Sequence, residues 1–486
     1  MLKKIRIVLA VLLWLGITAL LLDFTGVLHG WLGWMAKIQF LPAVLALNLG
    51  IILGLVILTL VGGRLYCSII CPLGVFQDGV AHLFHKRPYR FKKELKWLRY
   101  GVLGLFILAI ILGINSLVAL LAPYSAWGRI VQNLFQPVYL WFNNIFAAMA
   151  ERAGNYAFYN KEIWLRSLPT FIIAVVTLIV IVVMACRGGR DYCNTVCPVG
   201  TTLGLISRFA MFRPVIDTEK CKNCRKCARK CKASCLDAVN HSIDYSRCVN
   251  CFNCIDSCEF DALNYQFAWG KKKEAEAGSK ADKGRRAFLT GTAIAIGSAA
   301  AKAQEKKVDG GLAAVLDKKV PKRETAITPP GSNGHKNMYS HCTGCQLCVA
   351  QCPNNVLRPS TDLEHLMQPE SSYERGWCRP ECTRCSQVCP TGAIRPFSKE
   401  EKSTIKIGTA TIRRDLCIAE NGESCGNCVR RCPSGAIQMV KDEASDIFIP
   451  SVDKERCIGC GACEFLCPTR PISAIFVEGL SEHRNV

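Results

Sequence analysis

Apolar residues run in four long blocks through the first 190 positions, and the chain then breaks into short segments crowded with cysteine. Leu41–Gly62 and Tyr100–Leu121 are each 22 residues without a charge, Leu168–Ala185 adds 18, and Ile7–Leu22 is a shorter run closed by Asp23. About 20 apolar residues in a helix cross the hydrocarbon of a bilayer, so the pattern predicts four transmembrane helices. Ile130–Ala150 also lacks charge, but it mixes Gln132, Asn133, Gln136, Asn143 and Asn144 with Phe135, Tyr139, Trp141 and Phe142. That mixture suits a helix lying in the outer interface. Beyond residue 212 the apolar segments are too short for anything but small strands and single helical turns between cysteine loops, which predicts α+β modules.

Basic residues orient the helices. Lys3, Lys4 and Arg6 precede the first run, and Arg64, Lys86, Arg87, Arg90, Lys92, Lys93, Lys96 and Arg99 follow the second, whereas only Lys37 lies between the first two. The positive-inside rule therefore expects the N-terminus, the 64–99 connection and the segment after Ala185 on the cytoplasmic side of a bacterial inner membrane. The net charge of +22 is confined to the same part of the chain: 40 Lys and Arg face 19 Asp and Glu before residue 321, and 20 face 19 after it. Positive-inside loops and compensation of thiolates account for the excess, and with no nucleic-acid motif present a nucleic-acid partner is excluded.

Thirty cysteines change the picture most. Cys221, Cys224, Cys227 and Cys231 read C-x2-C-x2-C-x3-C, and Cys248, Cys251, Cys254 and Cys258 repeat the run. This spacing is the bacterial [4Fe–4S] signature, in which the fourth cysteine of each run serves the other cluster. The expected sets are Cys221, Cys224, Cys227 with Cys258, and Cys248, Cys251, Cys254 with Cys231. Lys232 and Glu259 stand where proline usually follows the fourth cysteine, a departure that makes the left-over Cys235 a candidate substitute for Cys231, although Cys231 is kept in the expected set. Four more quartets occupy the last third: Cys342, Cys345, Cys348, Cys352; Cys378, Cys382, Cys385, Cys389; Cys417, Cys425, Cys428, Cys432; and Cys457, Cys460, Cys463, Cys467, each closed by proline. Their pairing, sequential or nested, is open from spacing. Disulfide scaffolds are short secreted domains and zinc prefers separated C-x2-C pairs, so recurring quartets point to six [4Fe–4S] clusters.

"RLYCSIICPLG" from Arg64 and "RDYCNTVCPVG" from Arg190 form an internal repeat, R-x-Y-C-x3-C-P-x-G, placed after the second and fourth apolar runs. Cys67 with Cys71, and Cys193 with Cys197, are spaced to share a helical face. Together they offer four thiolates for a seventh cluster, or two redox-active pairs. These motifs and the ferredoxin run behind them resemble the membrane-bound quinol dehydrogenase subunit of periplasmic nitrate reductase systems, the NapH type, over roughly residues 1–265, with NosR-like and MauN-like membrane ferredoxins as relatives. The last third, with "IKIGTATIRRDLC" before Cys417 and seven residues between Cys417 and Cys425, resembles the four-cluster periplasmic ferredoxin of the same systems, the NapG type. The second quartet departs somewhat from that pattern.

The resemblance implies two subunits in tandem: a membrane domain (residues 1–212), a cytoplasmic two-cluster module (213–268), a linker (269–335) and a periplasmic four-cluster domain (336–486). Gly284–Gln304 reads as an internal twin-arginine signal around Arg285 and Arg286, which would move a folded, cluster-bearing domain outward, so that residues after about 304 are periplasmic. Ala287–Ala301 would stay as a fifth anchor or be cut after Ala303. The implied activity is electron relay from quinol in the membrane lipid to a periplasmic reductase or other redox protein. Asp78, His82 and His85 are candidates for accepting the quinol protons. The alternative is an accessory maturation or regulatory electron donor, of the NosR or MauM/MauN kind, without catalysis of its own.

Overall fold

The computed structural model describes residues 1–85, 87–155, 158–268, 316–442 and 447–485. The twin-arginine-like stretch Gly284–Gln304, including Ala287–Ala301, lies outside them. The longer helices of the N-terminal unit are α1 (Leu2–Leu22), α2 (Leu49–Gly62), α3 (Pro72–Phe84), α4 (Lys96–Ile111), α5 (Pro123–Ile130), α6 (Gln136–Arg152), α7 (Leu168–Gly188) and α8 (Pro198–Ser207).

The expectation of four spanning helices is met only in part. Among the described residues only α1 and α7, 21 residues each, are continuous and apolar enough to cross a membrane. Leu41–Gly62 is broken. A short helix (Phe40–Leu45) ends, Leu47 turns left-handed at φ 50°, and Asn48 starts the 14-residue α2 by accepting a hydrogen bond from the Ile51 N–H at 3.3 Å. Tyr100–Leu121 is broken by Gly113, whose φ of 75° ends α4 and lets a separate helix, Asn115–Leu121, begin. Of α6, Trp141, Phe142 and Phe146 are exposed, a face that fits the interfacial expectation.

The remainder is α+β, built from antiparallel strand pairs. Phe212–Ile216 pairs with Leu263–Phe267 and encloses the first ferredoxin module, whose cysteine loops lead into the single-turn helices Lys226–Arg229 and Asn253–Asp256. In the C-terminal unit Leu357–Pro359 pairs with Pro369–Ser371, Ile405–Ile412 with Ile475–Asn485, and Ile437–Lys441 with Phe448–Val452.

These modules meet opposite ends of one helix. At the start of α1, Lys3 Nζ contacts Asp256 of the first module at 2.6 Å; just past its end, Gln351 of the C-terminal unit donates to the Asp23 carbonyl at 2.6 Å. At 1.5 Å per residue α1 is about 31 Å long, the thickness of a hydrocarbon core. Other contacts agree. Arg99 at the start of α4 donates to Ser246, while Asn115 beyond its far end reaches the Tyr339 carbonyl.

Candidate metal centres

The cysteine loops share a backbone device. In the four runs with C-x2-C-x2-C spacing, the residue before and the residue after the second cysteine are left-handed: Asn223 and Arg225, Asn250 and Phe252, Gly344 and Gln346, Gly459 and Gly461. A non-glycine residue held there costs about 1 kcal/mol, strain that persists where function requires it. The alternation turns successive amides and thiols toward one centre.

The thiols gather accordingly. One apolar cavity is lined by Cys221, Cys224, Cys227 and Cys258; a second by Cys231, Cys248, Cys251 and Cys254, together with Cys235. Both groups bring together the sets expected from spacing. In the C-terminal unit Cys352 joins Cys378, Cys382 and Cys385, and Cys467 joins Cys417, Cys425 and Cys428. Cys348 is flanked by Cys342, Cys345 and Cys389, and Cys463 by Cys457, Cys460 and Cys432. The exchange is sequential, first quartet with second and third with fourth, rather than nested.

The two C-x3-C-P motifs form a seventh group. Cys67, Cys71, Cys193 and Cys197 are buried around one centre in the helical unit. Cys71 precedes α3 and Cys197 precedes α8, each followed by proline at the first helical position. The motif arginines cross over. Arg190 Nη1 donates to the Cys67 carbonyl at 2.7 Å and lies 3.8 Å from Cys193 Sγ. Arg64 Nη2 donates to the Cys193 carbonyl at 3.1 Å and lies 3.8 Å from Cys67 Sγ. The motif glycines make room for this exchange: a methyl on Gly74 would overlap the Cys67 carbonyl and Arg190, and one on Gly200 would overlap the Cys193 carbonyl and Arg64. Each R…G pair of the repeat is thus completed by the other copy.

The residues fit a [4Fe–4S] cluster. Four buried thiols gathered on one centre suit a shared cation such as iron, which holds them as thiolates. Arg64 is fully buried, and its hydrogen bonds go to Asn194 Oδ1 and to the Ser246 and Cys193 carbonyls, with no carboxylate partner among the described residues. An unpaired buried guanidinium requires nearby negative charge, which a thiolate-ligated cluster supplies.

Short contacts connect the C-x3-C-P group to the first module and to the C-terminal unit. Asn194, next to Cys193, donates to the Ala233 carbonyl in the loop after Cys231 at 3.2 Å. On the other side Tyr192 Oη donates to the Leu121 carbonyl at 3.3 Å, and Tyr124, three residues on, neighbours Cys345 and Cys389. Gly128 on the same helix is packed so closely on the Cys345 carbonyl that no side chain would fit. The Cys378 N–H donates to the Cys460 carbonyl at 3.0 Å, which orders the C-terminal groups as those of Cys345, Cys382, Cys460 and finally Cys425. Lys402, buried, places Nζ 3.2 Å from Cys378 Sγ.

The proton-acceptor candidates are separated. Asp78 is clamped by Arg6 at 3.0 Å, Arg190 at 2.7 Å and Lys232 at 2.8 Å. Burial alone would raise its pKa, but Arg190, Lys232 and Arg6 override this and hold the carboxyl far below the usual range. It serves as an ionic hub rather than a base. His82 is exposed. His85 is half-buried, stacked on Tyr89 at 4.1 Å, with Nδ1 2.5 Å from the Cys186 carbonyl and a buried Nε2 that has no partner among the described residues. The roles of Arg64, Arg190 and Lys402 were not foreseen; the R and G of the repeat were the available signal.

Comparison with known proteins agrees with this arrangement. Residues 44–90 and 169–215 each match the family described as a 4Fe-4S binding domain, so the two copies of that match coincide with the two C-x3-C-P motifs. Residues 341–394, 377–436 and 421–470 match 4Fe-4S dicluster domains. The methylamine utilization ferredoxin-type protein MauM of Methylophilus methylotrophus is 30% identical over 162 residues, 32% of this chain and 71% of that protein. The chain belongs to the MauM family of ferredoxin-type proteins. This ferredoxin-type chain is also similar to NapF of Escherichia coli K12, at 29% identity over 36% of the chain and 99% of NapF, and to NapG of the same organism, at 28% over 39% and 83%. It carries several [4Fe–4S] clusters and transfers electrons.

Proposed function

We propose that the protein is a membrane-anchored polyferredoxin that passes electrons from quinol, through seven [4Fe–4S] clusters in single file, to a redox protein across the membrane. The observation that carries the reading is the four-thiol group of Cys67, Cys71, Cys193 and Cys197, held between modules that sit at opposite ends of a helix about 31 Å long. When bound, each cluster carries one electron at a time.

In this reading residues 1–212 are the membrane domain, with α1 and α7 spanning and the broken segments 41–62 and 100–121 completing a NapH-like bundle. The first two bury only 33% and 22% of their apolar windows, which leaves a lipid-facing surface unsuited to a soluble core. Residues 213–268 are cytoplasmic, and 336–486 form a NapG-like periplasmic unit carried outward by the twin-arginine segment. Arg64 and Arg190 offset cluster charge at the intramembrane site. His85 Nε2, on a ring stacked against Tyr89, is the best-placed acceptor for a quinol proton among the three candidates. Electrons leave from the Cys417, Cys425, Cys428 and Cys467 group, the last in the succession, toward a periplasmic reductase.

The test uses the full chain, purified anaerobically and reconstituted in vesicles with menaquinol. Cluster bleaching by menaquinol is expected, with Cys67→Ser and Cys193→Ser stopping reduction of the C-terminal groups. Unchanged rates in both variants reject a redox role for the motif. A second reading, electron donation during assembly of another enzyme, draws on the likeness to MauM, whose name ties it to methylamine utilization.

A further inference from the structure

Five thiols surround a site that needs four. Cys235 is 2% exposed, lines the same cavity as Cys231, Cys248, Cys251 and Cys254, and places Sγ 3.7 Å from Cys231 Sγ. Its other sulfur neighbour is Cys248.

The remaining loops show what normally stands there. In four of them the residue four after the last cysteine is Ala262, Ala393, Ala436 or Val356, all at most 3% exposed and packed against their cysteine groups, whereas the Cys467 loop has the exposed Pro471 there. Only the Cys231 loop puts a thiol at this apolar position. The same loop lacks the proline that follows the last cysteine of each C-terminal quartet. In its place Lys232 ties the loop to α3 through Asp78 at 2.8 Å, and Ser234 is left-handed at φ 50°, turning Cys235 back into the cavity.

We propose that Cys235 is a reserve ligand of this site, able to take the place of Cys231. The inference rests on the cluster reading above. In the exchange Cys235 gives up its proton and Cys231 takes one, so the site keeps four thiolates and no electron is gained or lost. The first site, whose fourth ligand is Cys258 and whose equivalent position is Ala262, has no such reserve and is the internal control.

The experiment measures iron and the low-temperature EPR spectrum of the dithionite-reduced full chain, purified anaerobically. Cys231→Ser and Cys235→Ser should each keep the wild-type iron content, whereas the double variant should lose about four irons, as should Cys258→Ser alone. Moving the device offers a gain that misfolding cannot imitate: Cys258→Ser combined with Ala262→Cys should regain the lost irons. A Cys231→Ser chain that loses as much iron as Cys258→Ser overturns the proposal, as does loss of the site in Cys235→Ser alone, or failure of the Ala262→Cys rescue. Wild-type protein lacking this cluster's signal would instead refute the cluster reading itself.

Discussion

Replacing Arg64 by methionine removes one buried positive charge beside the group of Cys67, Cys71, Cys193 and Cys197 while keeping the length of the side chain. Arg64 Nη2 is 3.8 Å from Cys67 Sγ, and a cluster held by that thiolate would have its centre beyond the sulfur, about 6–7 Å from the charge. At an effective dielectric constant of about 20, a unit charge at that distance is worth about 2.5 kcal/mol. With about 1.4 kcal/mol per tenfold and 59 mV per tenfold for one electron, the reduced cluster loses about 100 mV of stabilisation. The midpoint potential should therefore fall by about that amount. Arg190→Met should lower it less, because the Arg190 charge is already offset by Asp78 at 2.7 Å. Arg64→Lys, which keeps the charge, should recover most of the shift. The assay is an anaerobic redox titration followed by EPR on the full chain in detergent. A rise in potential, or equal effects of lysine and methionine, would refute the charge-compensation argument.

Other expectations follow from the same contacts. Gly74→Ala or Gly200→Ala drives a methyl into a carbonyl and a crossing guanidinium, an overpacking cost of about 1–3 kcal/mol; about four irons should be missing from the purified variant. Asp78→Asn leaves Arg6, Arg190 and Lys232 without their shared anion and should cost about 3–5 kcal/mol, read as a lowered thermal midpoint in detergent. Because the Asp78 pKa is depressed, its contribution is complete above the unfolded carboxylate pKa of about 4 and erodes only below it. Burial, with His335 adding to it, pushes His483 down to about 4, so the neutral ring is favoured in the folded chain. Stability of the C-terminal unit should decline as pH falls from about 6.5 to about 4, and His483→Gln should flatten that decline in melting scans. Lys402→Met removes an ammonium 3.2 Å from Cys378 Sγ and should lower the potential of that cluster alone.

The cysteine groups were legible because ligand spacing is a local property: C-x2-C-x2-C fixes three thiols on one loop, and the fourth comes from the partner run by the symmetry of the module. Membrane helices were less so. Hydropathy counts charges and ignores stop signals, so Asn48 as an N-cap and Gly113 as a left-handed terminator went unread although both residue types were visible. The repeat at Arg64 and Arg190 was found, but the use of its arginine and glycine depends on how two segments 126 positions apart face each other. Asp78 shows the same limit. A carboxylate after a cysteine motif looks like a base until Arg6, Arg190 and Lys232, from three other elements, close on it.

The most direct test of the relay is stopped-flow reduction of the full chain in vesicles by menaquinol, followed by the EPR signals of the C-terminal clusters. Wild-type protein should show them reduced by quinol. Cys193→Ser should keep the iron of the other six groups yet leave the C-terminal signals oxidised. Rapid reduction of those signals without an intact Cys67, Cys71, Cys193 and Cys197 site would contradict a path through it.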